Sequence, residues 1–278
     1  MKLALLGYPL GHSLSPAMHN AAFKAVGLSD WRYEAMSIEP ERLGEAVMVI
    51  RGEGYAGANV TVPHKETVLI LLDGLTPVAE AIGAVNTLVK KDGRLIGHNT
   101  DAAGLLADLQ AQGVVLSQRT VLILGAGGAA RAAIAALAGV GAGLRVAARR
   151  REQAESLQTI APIEIFDRTP LGLRRACADC ALILNATPLG MTPNIATTPW
   201  PMGTPFPPDA FVYDLVYNPV ETRLVRQGRA AGLRAATGLG MLVEQGALAF
   251  ELWTGKEAPR DIMRQAAEAE LFSGINHV

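Results

Sequence analysis

Val121-Leu122-Ile123-Leu124-Gly125-Ala126-Gly127-Gly128-Ala129-Ala130-Arg131 is the stretch that decides the fold. Four apolar residues run into a glycine turn, and the turn opens an alanine-rich run of high helix propensity. The pattern is G-x-G-x-x-A between a strand and a helix. One glycine makes the tight turn, the next lets backbone approach a pyrophosphate, and the small third residue lets the helix pack close to the strand. Gly125, Ala126, Gly127, Gly128 and Ala129 are therefore the candidate dinucleotide cradle.

The same alternation continues outward from this stretch. Residues 120–124, 144–148, 163–166, 181–184 and 211–214 read as short apolar strands, with helical patterns at 128–138, 151–159 and 171–178 between them. Strands joined in this way predict a doubly wound α/β domain. Ahead of it, 2–7, 32–37 and 57–62 read as strands and 40–50 as a helix, and 85–90 with 94–98 form a hairpin over the Asp92-Gly93 turn signal. Ser15-Pro16 reads as an N-cap with proline at the first position of a helix running to about 26. Short helices start at His64 and Thr76, and 101–112 reads as a connecting helix. Helical patterns at 239–254 and 259–270 have no strand between them, and periodicity does not say which half they cover. The proline-rich segment 188–208 reads as a long surface loop.

Composition removes several classes of function. With 278 residues, half of them apolar, the chain has room for one large or two ordinary domains. Its net charge of −1 offers no overall field for a polyanion, so neither nucleic acid nor an anionic membrane is an expected partner. The longest charge-free apolar stretch, 132–144, has 13 residues, against about 20 for a membrane span. The apolar run at 3–6 is too short for a signal peptide, and a cytoplasmic location is expected. Cys177 and Cys180 are spaced C-x-x-C, but there is no second pair, and the motif sits where a helix ends and a strand begins. Two structural thiols and no metal are expected.

The kind of dinucleotide follows from charge. A site for NAD places Asp or Glu about 20 residues after the glycines to hold the ribose 2′-hydroxyl. From Ala126 through Arg151 there is no acid, and the second strand ends instead in Arg149-Arg150-Arg151. Guanidinium groups offer forked donors and a permanent charge to a 2′-phosphate. Cations at a helix start oppose the helix dipole, which favours a functional reason for them. NADP is the expected cofactor, with Arg149 and Arg150 at its phosphate.

A nicotinamide enzyme acting on a carbinol needs a group that takes the hydroxyl proton. No Tyr has a Lys four residues later, and Cys and His are not spaced for a catalytic zinc. The remaining polar material lies in the first part of the chain, at 11–16, 59–65, 84–87 and 97–101, all at expected strand ends. Lys65 follows a strand and Pro63, and Asp101 sits at the next junction. A lysine and an aspartate sharing a substrate hydroxyl would supply the acid–base chemistry. The plain alternatives are a solvated helix-start lysine and an N-cap aspartate.

These segments resemble the shikimate dehydrogenase family closely. The match runs through Gly11-His12-Ser13-Leu14-Ser15-Pro16 with His19-Asn20, Asn59 to Lys65, Gly83-Ala84-Val85-Asn86-Thr87 and Asn99-Thr100-Asp101. It continues in Gly125 to Ala129, Asn185-Ala186-Thr187, Asp214 to Tyr217, and Gly238-Leu239-Gly240-Met241 with Gln245. The resemblance implies a two-lobed α/β chain with an active-site cleft between the lobes. One lobe, 1–101 plus 239–278, would be the substrate-binding domain, and the other, 102–238, a Rossmann-like NADP domain. The implied reaction is the reversible, NADP-dependent reduction of 3-dehydroshikimate to shikimate on the route to aromatic amino acids, by a monomer or homodimer. Lys65 and Asp101 would be the catalytic pair. Ser13 and Ser15 would bind the substrate carboxylate, and Asn59, Thr61, Asn86, Tyr217 and Gln245 would complete the substrate pocket. Thr187, Leu215 and Gly238 would lie along the cofactor.

Two departures from the family pattern stand out. Where NADP-preferring members read Asn-Arg-Thr or Asn-Arg-Ser, this chain has Ala148-Arg149-Arg150, and where the family reads Asn-Ala-Thr-Ser it has Asn185-Ala186-Thr187-Pro188. NADP preference is still expected, because the second arginine adds phosphate charge. Alternatives are a paralogue acting on quinate or an amino-substituted shikimate, and a non-catalytic NADP-binding protein. Both serines at 13 and 15 favour shikimate, and retention of Lys65 and Asp101 favours an enzyme.

Overall fold

The computed structural model describes residues 1–11 and 13–275; His12 of the 11–16 motif lies outside them. The chain forms two compact units, Met1–Gly104 with Leu242–Val278, and Leu105–Met241.

The first unit contains β1 (Lys2–Gly7), α1 (Ser15–Ala25), β2 (Arg32–Ser37), α2 (Leu43–Arg51), β3 (Tyr55–Val60), β4 (Gly74–Leu75), α3 (Pro77–Ile82), β5 (Thr87–Lys91), β6 (Arg94–His98) and the first turn of α4 (Asp101–Ala111). Its sheet has the order β2-β1-β3-β5-β6-β4. β1 runs parallel to β2 and β3, whereas the hairpin makes β3–β5 and β5–β6 antiparallel, so the sheet is mixed. Leu3, Ala4 and Leu6 of β1 are wholly buried, as expected of a strand covered on both faces. Ser15 is not the cap of α1: it is the first helical residue, and its N–H donates to Ser13 Oγ at 3.3 Å.

Five strands of the second unit are legible in the sequence: β7 (Thr120–Leu124), β8 (Gly143–Ala148), β9 (Glu164–Asp167), β10 (Cys180–Asn185) and β11 (Phe211–Asp214). Between and after them lie α5 (Gly128–Gly139), α6 (Arg151–Glu155), α7 (Pro170–Ala176) and α8 (Arg223–Ala230), followed by β12 (Ala235–Thr237). The order is β12-β11-β10-β7-β8-β9, all parallel. Counted from β7 this is 6-5-4-1-2-3, the doubly wound arrangement, whose switch point lies between β7 and β10. Two elements are not among those expected from the sequence. β12 has three residues and is only half-buried, and α8 buries just Leu224, Val225 and Gly228.

The segment 188–208 is not only a surface loop. Trp200 is 1% exposed, stacks on Phe206 with centroids 4.7 Å apart, and donates its indole N–H to Thr204 O at 3.0 Å. It packs with Leu122, Leu124, Ile183 and Val212, so the loop closes one face of the sheet. Cys177 and Cys180 are buried free thiols at the end of α7 and the start of β10, and burial pushes Cys180 up to about 12.

The chain ends in α9 (Leu239–Thr254) and α10 (Arg260–Ile275). From Leu242 onward it belongs to the first unit, where α10 lies against α1. Phe250 and Trp253 of α9 join Phe23, His19 and Tyr33 in an aromatic cluster, and the Trp253 indole donates to Leu88 O at 2.9 Å.

Candidate active site

Strand direction brings the polar residues of the first unit to one edge of its sheet. β1 and β3 are parallel, so Ser13 and Ser15 after β1 leave the same end as Thr61 and Lys65 after β3. β5 is antiparallel to β3 with Asn59 opposite Thr87, which puts Asn86 at that end too. β6 turns back with His98 opposite Thr87, so Asn99, Thr100 and Asp101 return to the same edge.

There Lys65 Nζ donates to Asp101 Oδ2 at 2.6 Å, with side-chain exposures of 15% and 7%. The other carboxylate oxygen accepts from Asn86 Nδ2 at 2.9 Å. Asp101 is not spent as a cap, because Asn99 Oδ1 accepts the Ala102 N–H at 3.2 Å and leaves the carboxylate free to face Lys65. The Asn86 amide cannot turn over: its Oδ1 accepts from the Thr100 N–H at 2.7 Å and from Thr87 Oγ1 at 3.1 Å. Gln245 Oε1 lies 3.2 Å from Asn86 Nδ2, while Gln245 Nε2 is tied to Leu242 O at 2.8 Å. Contact between α4 and α9 at this point depends on Gly104, since a Cβ there would lie 2.7 Å from Gln245 N. The Lys65 backbone is pinned as well, its carbonyl accepting the Val85 N–H at 2.8 Å.

Asn59 lies one step behind this edge. Its Nδ2 donates to Asn86 O and Thr87 Oγ1, both at 3.0 Å, and its Oδ1 accepts from Tyr33 Oη at 2.7 Å. Both amide hydrogens are spent on the protein, which leaves one acceptor lone pair for a ligand. Sequence reasoning does not single out Tyr33; its place on β2, far along the chain from Asn59, gives no local signal. Thr61 sits directly over Gly7, where a Cβ would meet Thr61 Cγ2 at 2.4 Å. Ser13, Ser15 and Thr61 share the edge but form no hydrogen bond with the Lys65–Asp101 pair among the described residues.

In the second unit the glycine turn lies at the switch point. Gly125 has φ +113°, and a Cβ there would meet Ala186 O at 3.0 Å and Thr187 Cγ2 at 2.9 Å, so only glycine fits. Above Gly127 the space is open. Gly127 caps α5 without a side chain, so the first N–H groups of this 12-residue helix have no side-chain acceptor. That is a ready anion site. Asp214 ties the neighbouring strand ends together: it accepts from Asn185 Nδ2 at 2.7 Å, the Val216 N–H at 3.0 Å and Thr222 Oγ1 at 2.6 Å. Asn185 Oδ1 in turn accepts both the N–H and the hydroxyl of Thr187. Gly238 packs against Leu215, whose carbonyl oxygen would lie 2.4 Å from a Cβ at 238. Burial pushes Tyr217 up to about 12, so its phenol is neutral at ordinary pH. Of the three arginines after β8, Arg151 pairs with Glu155 at 2.9 Å. Arg149 and Arg150 are exposed and join no ion pair among the described residues.

The open glycine cradle and the unpaired cations at the next strand end fit a phosphorylated dinucleotide, and hydride transfer to a carbonyl needs a held proton donor such as Lys65. Fold and site together define the class, a dinucleotide-dependent oxidoreductase built from two α/β units. Residues 5–88 match the family model described as the shikimate dehydrogenase substrate binding domain, and residues 238–268 match the shikimate 5′-dehydrogenase C-terminal domain. The NADP(+) shikimate dehydrogenase of Symbiobacterium thermophilum is 46% identical over 277 residues, covering 97% of this chain and 94% of its own. Among solved structures, the Thermus thermophilus shikimate 5-dehydrogenase in complex with NADP(H) and shikimate superposes with a TM-score of 0.89 at 40% identity, over 98% of this chain and all of that one. A Corynebacterium glutamicum quinate dehydrogenase in complex with NAD is also similar, with a TM-score of 0.85 at 31% identity, over 97% of this chain and 99% of that one. The chain belongs to the shikimate dehydrogenase family.

Proposed function

We propose that the protein reduces 3-dehydroshikimate to shikimate, reversibly and with NADP, in the biosynthesis of aromatic amino acids. The observation that carries this reading is the Lys65–Asp101 contact of 2.6 Å, with the second carboxylate oxygen held by Asn86. NADPH, when bound, supplies the hydride. Lys65 Nζ hydrogen-bonds the substrate oxygen and gives it the proton in reduction, taking it back in oxidation, while Asp101 orients the amine. Asn86 and Gln245 hold the carboxylate and its surroundings in one arrangement. Ser13 and Ser15 receive the substrate carboxylate, and Asn59, Thr61 and Tyr217 complete the substrate contacts.

In the second unit Gly125 to Ala129 cradle the pyrophosphate, and Arg149 and Arg150 take the 2′-phosphate. Thr187, Leu215 and Gly238 lie along the cofactor, with Thr187 held in place by Asn185 and Asp214. The first unit, with the C-terminal helices, is thus the substrate domain and the second the NADP domain. The two buried free thiols fit a reducing, cytoplasmic setting.

The test is NADP reduction followed spectroscopically with shikimate and with quinate, then with NAD in place of NADP. The reading expects the highest kcat/KM for shikimate with NADP. Quinate equal to or better than shikimate would assign the quinate-using branch instead.

A further inference from the structure

β8 and β9 end side by side, with Ala148 opposite Asp167, so the residues that follow them, Arg149 and Arg168, emerge next to each other. Between them is a hollow of about 300 Å³, lined by Ala148, Arg149, Asp167, Arg168 and Thr169. Position 148 contributes only a methyl group to this lining, and the two arginines contribute its positive charge. Arg168 is half-buried, and neither it nor Arg149 joins an ion pair among the described residues. Asp167 lines the same hollow, yet among the described residues no ion pair ties its carboxylate to either arginine. Burial first, and then the charge of Arg149, hold the Arg168 guanidinium below its usual value.

Two like charges held together, one of them partly withdrawn from water, repel unless an anion sits between them. Elsewhere in this unit Arg151 pairs with Glu155, Arg229 pairs with Glu221, and Arg145 donates to the carbonyl oxygens of Ala176 and Ala178. The Arg149–Arg168 couple is left open.

We propose that Arg168, which follows β9 as Arg149 follows β8, is a specificity-determining residue for NADP: with Arg149 it clamps the 2′-phosphate. The proposal rests on the NADP reading above and adds to it a residue from the end of a second strand. A dianionic phosphate accepting from both guanidinium forks relieves their repulsion and makes charge-assisted hydrogen bonds. NAD, which lacks that phosphate, gains nothing from Arg168. The residue therefore acts on the difference between the two cofactors, and not on dinucleotide binding in general.

Dissociation constants measured by calorimetry for NADP and NAD, on the wild type, Arg168→Gln and Arg168→Lys, test this without turnover. The wild type must first bind NADP more tightly than NAD; equal affinities would overturn the cofactor reading itself. Given that preference, Arg168→Gln is expected to weaken NADP by roughly ten- to a hundredfold and leave NAD within about twofold, with Arg168→Lys between wild type and Gln. Equal weakening of both cofactors would show that Arg168 serves adenine packing or the fold, and unchanged NADP affinity would show that it serves neither. Either result overturns the proposal while leaving the NADP reading intact.

Discussion

Lys65 reaches Asp101 at 2.6 Å, and the amide of Asn86 holds the opposite carboxylate oxygen, so the amine has little freedom to leave its position. General acid–base catalysis contributes roughly 10²- to 10⁴-fold. Lys65→Ala is therefore expected to lower kcat by that order and leave NADP affinity nearly unchanged in a fluorescence titration; near-normal turnover would defeat the role. Asp214 makes a different prediction. Burial raises it from the ordinary 3.8 to about 6, although three donors converge on it. The folded state then binds this proton more tightly than the unfolded state. Its contribution to stability is fully present below about pH 4 and is lost as pH rises through about 6, a change on the order of 3 kcal/mol. Asp214→Asn removes the ionisation, so wild type should lose stability relative to the variant between pH 4 and 6 in denaturant titrations. Parallel stability curves across that range would contradict it.

At the scale of elements, what is legible in the sequence follows periodicity and local turns. The strand–turn–helix at 120–131, the 85–98 hairpin and the two C-terminal helices all carry their signals within a few residues. β12 and α8 do not, because one has three half-buried residues and the other is a short, mostly polar helix that buries only Leu224, Val225 and Gly228. Trp200 misleads for the opposite reason: prolines dominate its segment, and its burial depends on Leu122, Ile183 and Val212, distant in the chain. The polar network is partly legible. Asn86, Asp101 and Lys65 lie in recognisable segments, whereas Tyr33 behind Asn59 and Arg168 beside Arg149 become neighbours only through strand order. Contact between α4 and α9 is likewise invisible in sequence, and it hinges on Gly104. A methyl group there would meet Gln245 backbone at 2.7 Å and force the helices apart. Overpacking of this kind costs about 1–3 kcal/mol. Gly104→Ala is expected to lower Tm and to raise KM for shikimate by displacing Gln245, with NADP affinity held; an unchanged KM would detach Gln245 from substrate binding.

For the whole molecule, the near-zero net charge conceals a local sign. Twenty-five basic and 26 acidic residues nearly cancel, yet no acid occurs between Ala126 and Arg151, and the exposed cations Arg149 and Arg150 follow β8. No helix among the described residues is long and apolar enough to cross a membrane. Many of the apolar residues are buried in the two six-stranded sheets and the helices that cover them. The family is established by identity over nearly the whole chain, and both shikimate and quinate dehydrogenases share its fold, so backbone geometry alone does not select the substrate. In the function proposed above, side chains make that choice, Ser13 and Ser15 for the substrate and the arginines for the cofactor. The most direct test is a set of steady-state kcat/KM values for shikimate and quinate, each with NADP and with NAD. The account predicts that shikimate with NADP exceeds the other three combinations; a quinate value at or above that for shikimate, or NAD matching NADP, would contradict it.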